Sequence, residues 1–500
     1  MELWFIFTVS LCLSLIIKSL FFPSNKTLPL PPGPLRLPLI GTLLTLRTSF
    51  SEIELLLRNL HAKYGPIVTL SIGPRLSIFV ADRNLAHYAL IQNGAVFSNR
   101  PTSLPAAKIF NSNQRNVNSA FYGPTWRLLR RNLTSEMLHP TRIRSFSGTR
   151  KWVLQVLMDR LKADSESRDS IKVIDHFQYA MFCLLVFMCF GDRLDEKEIK
   201  DIEYVERKVL LSSNRFRVLN FCPRITRVLF HKRWKELLEI KKERDDVLIP
   251  LIRARESLKK AQNDNDFVVS YVDTLLELEW PQEKRKLDES EIVSLCSEFL
   301  NAGTDTTATA LQWIMANLVK YPHIQERVFE EIREVMGERD DKEVKEENLN
   351  KLPYLKAVIL EGLRRHPPAH FVVPHAVSED AVLNGYLIPK NGTINFMVAE
   401  MGWDPKVWEN PMEFKPERFL KDEEGFDITG SKEIKMMPFG AGRRICPGYN
   451  LAMLHLEYFV GNLVWNFEWK ASNGDVDLSE KQEFTVVMKN PLHVSLSPRV

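Results

Sequence analysis

The sequence predicts a chain that is mainly α with a small β region, an α+β arrangement. Three observations predict it. Ten segments repeat apolar residues at helical spacing, the sequence Ile67-Val-Thr-Leu-Ser-Ile-Gly73-Pro74-Arg-Leu-Ser-Ile-Phe-Val80 places two β-rich runs around a Gly-Pro turn, and further strand signals return only near 371–377, 382–388 and 484–498. The 500 residues, with 45% hydrophobic and 26% charged content, suffice for a large core. No Gly/Ser linker, internal repeat or second compositional regime follows residue 41, so residues 42–500 read as one domain.

Ahead of that domain, Leu3 to Phe22 carries one charge, Lys18. At ~1.5 Å per residue this run crosses a ~30 Å hydrocarbon core, and residues 1–22 read as an N-terminal membrane anchor. A cleaved signal peptide would need a basic start and a small-residue cleavage site, whereas Glu2 stands at the start and no such site follows. Lys18, Lys26 and Arg36 lie on its C-terminal side, which places the body of the protein in the cytosol. Residues 23–41, with Leu28-Pro-Leu-Pro-Pro-Gly-Pro34 and Pro38, read as a stiff polyproline-like hinge.

Along the domain, helices are predicted at 52–63, 124–138, 149–163, 174–190, 198–212, 230–262, 288–320, 323–337, 351–365 and 447–466. Charge-rich stretches at 255–266 and 338–349 read as solvated loops. A formal charge of +4 with no basic stripe among aromatics gives nucleic-acid binding no support. The six cysteines (Cys12, Cys183, Cys189, Cys222, Cys296, Cys446) have no zinc or disulfide spacing, and a cytosolic domain keeps them reduced.

Chemistry concentrates in two places. In Pro438-Phe-Gly-Ala-Gly-Arg-Arg-Ile-Cys446-Pro-Gly448 a cysteine stands just ahead of the helix whose apolar face includes Leu451, Leu454, Leu456, Phe459 and Leu463. The helix dipole and free N–H groups favour negative sulfur there, and the glycines bring donors close to it, which suits a metal-bound thiolate. The helix at 288–320 opens on Asp288 and closes before Pro322, yet its middle reads Asn301-Ala302-Gly303-Thr304-Asp305-Thr306-Thr307. Such residues have poor helix propensity and compete for backbone hydrogen bonds, so a bulge or opened turn is expected. An acid beside an alcohol in apolar surroundings can relay protons; taken alone, without the cysteine loop, the same residues read more readily as a polar notch that relieves packing.

The pattern Phe439-x-x-Gly442-x-Arg444-x-Cys446-x-Gly448 resembles the haem-binding loop of the cytochromes P-450. Residues 301–307 resemble that family's oxygen-activation motif, Glu361-Gly-Leu-Arg364 its Glu-x-x-Arg, Pro416-Glu417-Arg418-Phe419 its third network member, and Trp126-x-x-x-Arg130 its propionate-binding pair. Anchor, hinge and motifs follow the family's order from end to end, and the chain looks like a microsomal plant A-type member. The resemblance implies the cytochrome P-450 fold and a haem-thiolate monooxygenase of the endoplasmic reticulum membrane, acting on a hydrophobic small molecule. It implies haem b with Cys446 as axial iron ligand; thiolate donation favours O–O cleavage in this class. Trp126, Arg130, His375 and Arg444 would bind propionates, and Phe439 would sit in the haem loop. Dioxygen would lie near Ala302 and Gly303, with Asp305 and Thr306 supplying protons. Glu361, Arg364 and Arg418 would form a structural network. No dinucleotide or flavin fingerprint occurs, so electrons from NADPH would arrive through the family's membrane-bound reductase. Substrate contacts would come from 97–121, Leu300 to Ala302, Ala369 to Val373 and Phe484 to Val487. Two other readings are a haem-thiolate isomerase or dehydratase of peroxides, and a haem-binding sensor without turnover; the retained Asp305–Thr306 pair speaks against both.

Overall fold

The computed structural model describes residues 28–34, 50–72, 75–220, 223–261, 268–337, 342–421, 425–472 and 474–499. The anchor at 1–22, most of the hinge, the Gly73-Pro74 turn, Cys12 and Cys222 lie outside them.

All ten expected helices are present. They are α1 (Phe50–Tyr64), α2 (Pro124–Asn132), α3 (Ser147–Ser167), α4 (Val173–Phe190), α5 (Glu196–Ser212), α6 (His231–Ala261), α7 (Glu289–Lys320), α8 (Pro322–Met336), α9 (Pro353–Arg365) and α10 (Tyr449–Asn466). The last turn expected of α2 continues instead as a π-helical turn at Leu133–Met137. Shorter helical turns such as Pro105–Phe110, Ser213–Asn220, Pro223–Leu229 and Tyr271–Leu275 lack the length for a periodic signal.

The core is built on α7. Asp288 caps it with a reciprocal pair of bonds, Glu291 N to Asp288 Oδ1 at 2.8 Å and Asp288 N to Glu291 Oε2 at 2.9 Å. Against it lies α4, whose sequence is apolar nearly all round because nearly all of it is buried. Among the described residues α4 is the one helix long and apolar enough to span a membrane, and its burial makes it a core helix. Gly191, at φ 77°, ends it.

The expected bulge in α7 is absent: helix runs without interruption from Glu289 to Lys320. Thr304 and Thr306 satisfy their hydroxyls on the carbonyls of Leu300 and Ala302, at 2.8 and 2.7 Å, so the side chains that could compete with the helix bond back along it. The reading of 255–266 as a solvated loop also needs correction. Through Ala261 it is helix, and Arg255 is buried against Asp273. At 338–349 the 3₁₀ turn Glu346–Lys351 includes Glu346, which pairs with the fully buried Arg150 at 2.6 Å.

The β region consists of β1 (Ile67–Ile72), β2 (Arg75–Val80), β3 (Ile171–Lys172), β4 (His375–Ala376), β5 (Ala381–Leu383), β6 (Tyr386–Ile388), β7 (Thr393–Phe396), β8 (Phe467–Ala471), β9 (Glu480–Gln482), β10 (Val486–Met488) and β11 (His493–Pro498). The largest sheet has the order β1-β2-β7-β4. Its hairpin is antiparallel with Ile67 opposite Val80, β7 runs parallel to β2 with Ser77 opposite Thr393, and β4 sets His375 opposite Ile394. The strand expected at 371–377 shrinks to two residues, and 484–498 divides into β10 and β11. The described part of the proline-rich segment lies on this β region: Pro32 accepts from Thr69 N on edge strand β1, and Pro29 from Leu387 N on β6, both at 2.8 Å.

Candidate active site

A cavity of about 1170 Å³ runs between the middle of α7 and the loop before α10. Cys446 lies on its wall, with Phe439, Arg444, Trp126 and Arg130, and so do Ala302, Gly303, Thr306 and His375. Residues more than 300 positions apart in sequence thus meet on one space.

The loop is held by its backbone. Cys446 N donates to Phe439 O at 2.8 Å, Gly440 N to Met437 O at 3.0 Å and Ile445 N to Gly442 O at 3.1 Å. Gly442 has φ 70°, and a Cβ there would stand 2.0 Å from Leu90 O, so only glycine lets the loop lie against the π-helical turn Tyr88–Gln92. Burial pushes the Cys446 thiol up, while the Gly448 N–H and the Arg130 guanidinium pull it down.

Around the cysteine, cations crowd together. Burial depresses Arg130, and burial with the neighbouring Arg444 brings Arg100 down to about 9. Arg444, lowered to about 10 by burial and by Arg130, lies 4.4 Å over the Trp126 ring. It donates to the carbonyls of Ser98, Val117 and Ala120, which leaves one N–H on each Nη. Arg100 commits Nε to Asn118 O and Nη1 to Val373 O and Pro374 O, leaving Nη2 without a hydrogen-bond partner among the described residues. The carboxylate that offsets both Arg100 and Arg444, Glu298 on α7, is half-buried, accepts from Val117 N and Asn118 N at 2.8 and 2.7 Å, and is itself pushed up to about 7 by desolvation. Crowded, desolvated guanidinium groups of this kind call for anions from outside the chain. Among the described residues no three His, Cys, Asp or Glu side chains converge on a metal, so an ion on Cys446 must bring its remaining ligands with it. A haem fits both demands, bringing four ring nitrogens and two propionates.

His375 is buried on β4, its Nδ1 2.7 Å from the Phe97 carbonyl, and burial and Arg100 hold it well below the usual imidazole range. A carbonyl can only accept, so Nδ1 carries the proton and the neutral ring offers Nε2 as an acceptor. A propionate contact from His375 therefore requires the imidazolium form.

On α7, Thr306 and Asp305 diverge. Thr306 lines the cavity; the Asp305 carboxylate takes Arg207 Nη1 at 3.2 Å and the Thr485 hydroxyl at 3.2 Å, with Gln178 Nε2 at 3.5 Å. Burial raises Asp305, against Arg207, which lowers it. Thr485 lines the cavity and also pairs with Thr309 at 2.9 Å, so it links the acid to the cavity wall. Gly303 has a packing reason: a Cβ there would come within 2.9 Å of Leu185 on α4. Farther off, Glu361 and Arg364 are fully buried, bonded at 2.7 and 2.8 Å, and Arg418 Nε reaches Glu361 at 3.2 Å. Arg364 also donates to Gly402 O and Glu413 O, tying α9 to the segment before the cysteine loop.

Sequence reasoning singled out neither Arg100, Arg207 and Glu298 nor Gln178. Arg100 and Thr485 fell inside stretches expected to touch substrate, and the others are joined to the site only by tertiary contacts.

The cytochrome P450 family model matches residues 31–496. The chain belongs to the cytochrome P450 family, whose members are haem b monooxygenases. It is 53% identical to cytochrome P450 89A9 of Arabidopsis thaliana over 99% of this chain and 98% of that protein. It is 32% identical to geraniol 8-hydroxylase of Swertia mussotii over 99% and 98%. A zebrafish cytochrome P450 structure with abiraterone superposes with a TM-score of 0.71 at 25% identity, covering 90% of this chain and all of that one.

Proposed function

We propose that this monooxygenase carries its haem on Cys446, inserts one oxygen atom from dioxygen into a hydrophobic small molecule, and receives electrons from NADPH through a membrane-bound flavoprotein reductase. One observation carries the reading: Cys446, the crowded arginines and the Ala302–Thr306 turn share a single cavity. The leading segment 1–22 anchors the chain in the endoplasmic reticulum membrane with residues 42–500 in the cytosol, in line with its apolar run and the basic residues after it.

Bound haem supplies the iron that activates dioxygen. The chain does the rest. Gly448 N–H and Arg130 hold negative charge on Sγ of Cys446, and Arg130, Trp126, Arg444 and Arg100 offer their free N–H groups to two carboxylates, with His375 joining as imidazolium. Thr306 Oγ1, parked on Ala302 O, holds a proton at the cavity wall and can turn it inward. Asp305, salt-bridged to Arg207, is the reserve behind it, reached through Thr485 Oγ1. Apolar walls from Leu185, Phe299, Val373 and Phe484 exclude water and suit an apolar body, in line with the geraniol named for the Swertia mussotii relative.

The test is the carbon monoxide difference spectrum of reduced protein. The parent should show the red-shifted Soret band of thiolate ligation, and Cys446→Ala should lose haem or that band. A normal band in the variant would overturn the assignment.

A further inference from the structure

We infer that the substrate of the proposed reaction is an organic acid, an apolar body bearing an ionised carboxylate that is received by Arg217. The inference rests on the monooxygenase reading above and names what that site accepts.

The charge of the cavity wall motivates it. Six arginines line the cavity and one carboxylate, Glu298, opposes them. Two haem propionates would be held by the group around Arg130, Arg444 and Arg100, yet cations remain elsewhere on the wall. Two of those are already answered: Arg75 donates to Thr102 O at 2.8 Å, and Arg244 to Asp245 at 2.9 Å. Arg217 is not. It has no hydrogen-bond or ion-pair partner among the described residues, and burial alone lowers it. Its segment, the 3₁₀ turn Ser213–Asn220, packs on α5, α6 and the helices Pro105–Phe110 and Pro223–Leu229, elements other than the cysteine loop and α10.

A second observation points the same way. Ser294 on α7 lines the same cavity, is 2% exposed, and its hydroxyl has no partner among the described residues. Arg217 is a half-buried guanidinium facing the cavity with no acceptor among the described residues for its N–H groups, and Ser294 adds a buried hydroxyl without one, so both are donors that a ligand in the cavity can use. A planar carboxylate matches the guanidinium fork in two parallel bonds, whereas an alcohol or ketone can use one. The wall between is apolar, so the charge at one end would fix which part of the body faces Cys446.

The experiment measures binding without turnover. Hexadecanoate, 1-pyrenebutyrate and abietate, each paired with its methyl ester, are titrated into the haem-loaded parent, Arg217→Gln and Arg217→Lys, read by the haem spin-state shift and by calorimetry. The parent should bind at least one acid roughly tenfold or more tighter than its ester, the gain of charge-assisted bonds to a partly desolvated guanidinium. Arg217→Gln should erase that preference while leaving ester affinity and the carbon monoxide spectrum unchanged, and Arg217→Lys should keep most of it. The preference should also fade as pH falls below about 5, where the acids protonate. A parent that takes none of the acids, takes esters equally well, or a preference that survives Arg217→Gln overturns the inference. The spectrum separates the two levels: a normal band without acid preference sinks the carboxylate assignment alone, and a missing band sinks the haem-thiolate reading beneath it.

Discussion

Gly440 and Gly442 offer a comparison within one loop. Their φ angles are 69° and 70°, so any residue with a side chain suffers the same left-handed strain at either place, about 1–2 kcal/mol. The space around them differs. A Cβ at 440 meets Val372 Cγ1 at 3.7 Å, an ordinary contact, whereas at 442 it meets Leu90 O at 2.0 Å and Leu90 C at 2.8 Å. Those are backbone atoms of a turn packed in the core, so the loop must move by more than about 1 Å, an overpacking cost of ~1–3 kcal/mol beyond the shared strain. Gly442→Ala should therefore lose haem faster than Gly440→Ala at the same temperature, by about five- to 150-fold if the extra cost appears fully in the rate. The assay is decay of the carbon monoxide difference band of purified protein held at a fixed temperature, with the parent alongside. Equal decay of the two variants would refute the claim that the Leu90 carbonyl, and not φ alone, demands glycine at 442.

Thr306→Ala should keep haem and ligand binding but cut coupling, so NADPH oxidation continues while hydrogen peroxide replaces product, with product formation down by ~10²–10⁴-fold; unchanged product per NADPH would make Thr306 a packing residue. Thr485→Val should mimic part of this loss if the route from Asp305 runs through its hydroxyl, and parent-like solvent isotope effects would argue otherwise. Glu457 is pushed up to about 7 by burial, so its contribution is most favourable below the unfolded carboxyl value of ~4.3 and declines as pH rises toward 7; Glu457→Gln should raise stability at pH 8 by about 1–3 kcal/mol and flatten that stretch of the stability profile. Charge reversal at the exposed Arg127, Arg131 and Arg443 should slow reduction by reductase and weaken its dependence on salt, measured by stopped flow. Asn132-Leu-Thr134 and Asn391-Gly-Thr393 are two Asn-x-Thr glycosylation sequons in the catalytic domain; Asn132 is buried and bonded to Thr274, so topology is tested at the exposed Asn391, which should carry no glycosidase-sensitive mass.

The long helices were legible because apolar periodicity is a local property that tertiary packing then uses. The α7 notch shows the limit of the same logic. Propensity weighs Thr304 and Thr306 as helix competitors, but it cannot say that their hydroxyls will fold back onto carbonyls one turn earlier and leave the helix whole. For the site, the cysteine loop was readable from glycine spacing, whereas the partners of Asp305 were not: Arg207 and Thr485 stand 98 and 180 positions away. His375 illustrates a subtler loss. Its presence was legible, but its proton is assigned by the Phe97 carbonyl, a backbone group with no signature of its own.

The proline-rich segment has a consequence for solubility. Strand β1 is the open margin of the main sheet, and unpaired N–H groups on such a margin invite a second chain to add a strand. Pro32 caps Thr69 N–H there with a residue that has no donor to extend the ladder in return. Trimming the chain through Pro34 to release the protein from membranes would uncover that margin, whereas a cut before Leu28 would leave the guard in place and should yield the less aggregation-prone preparation.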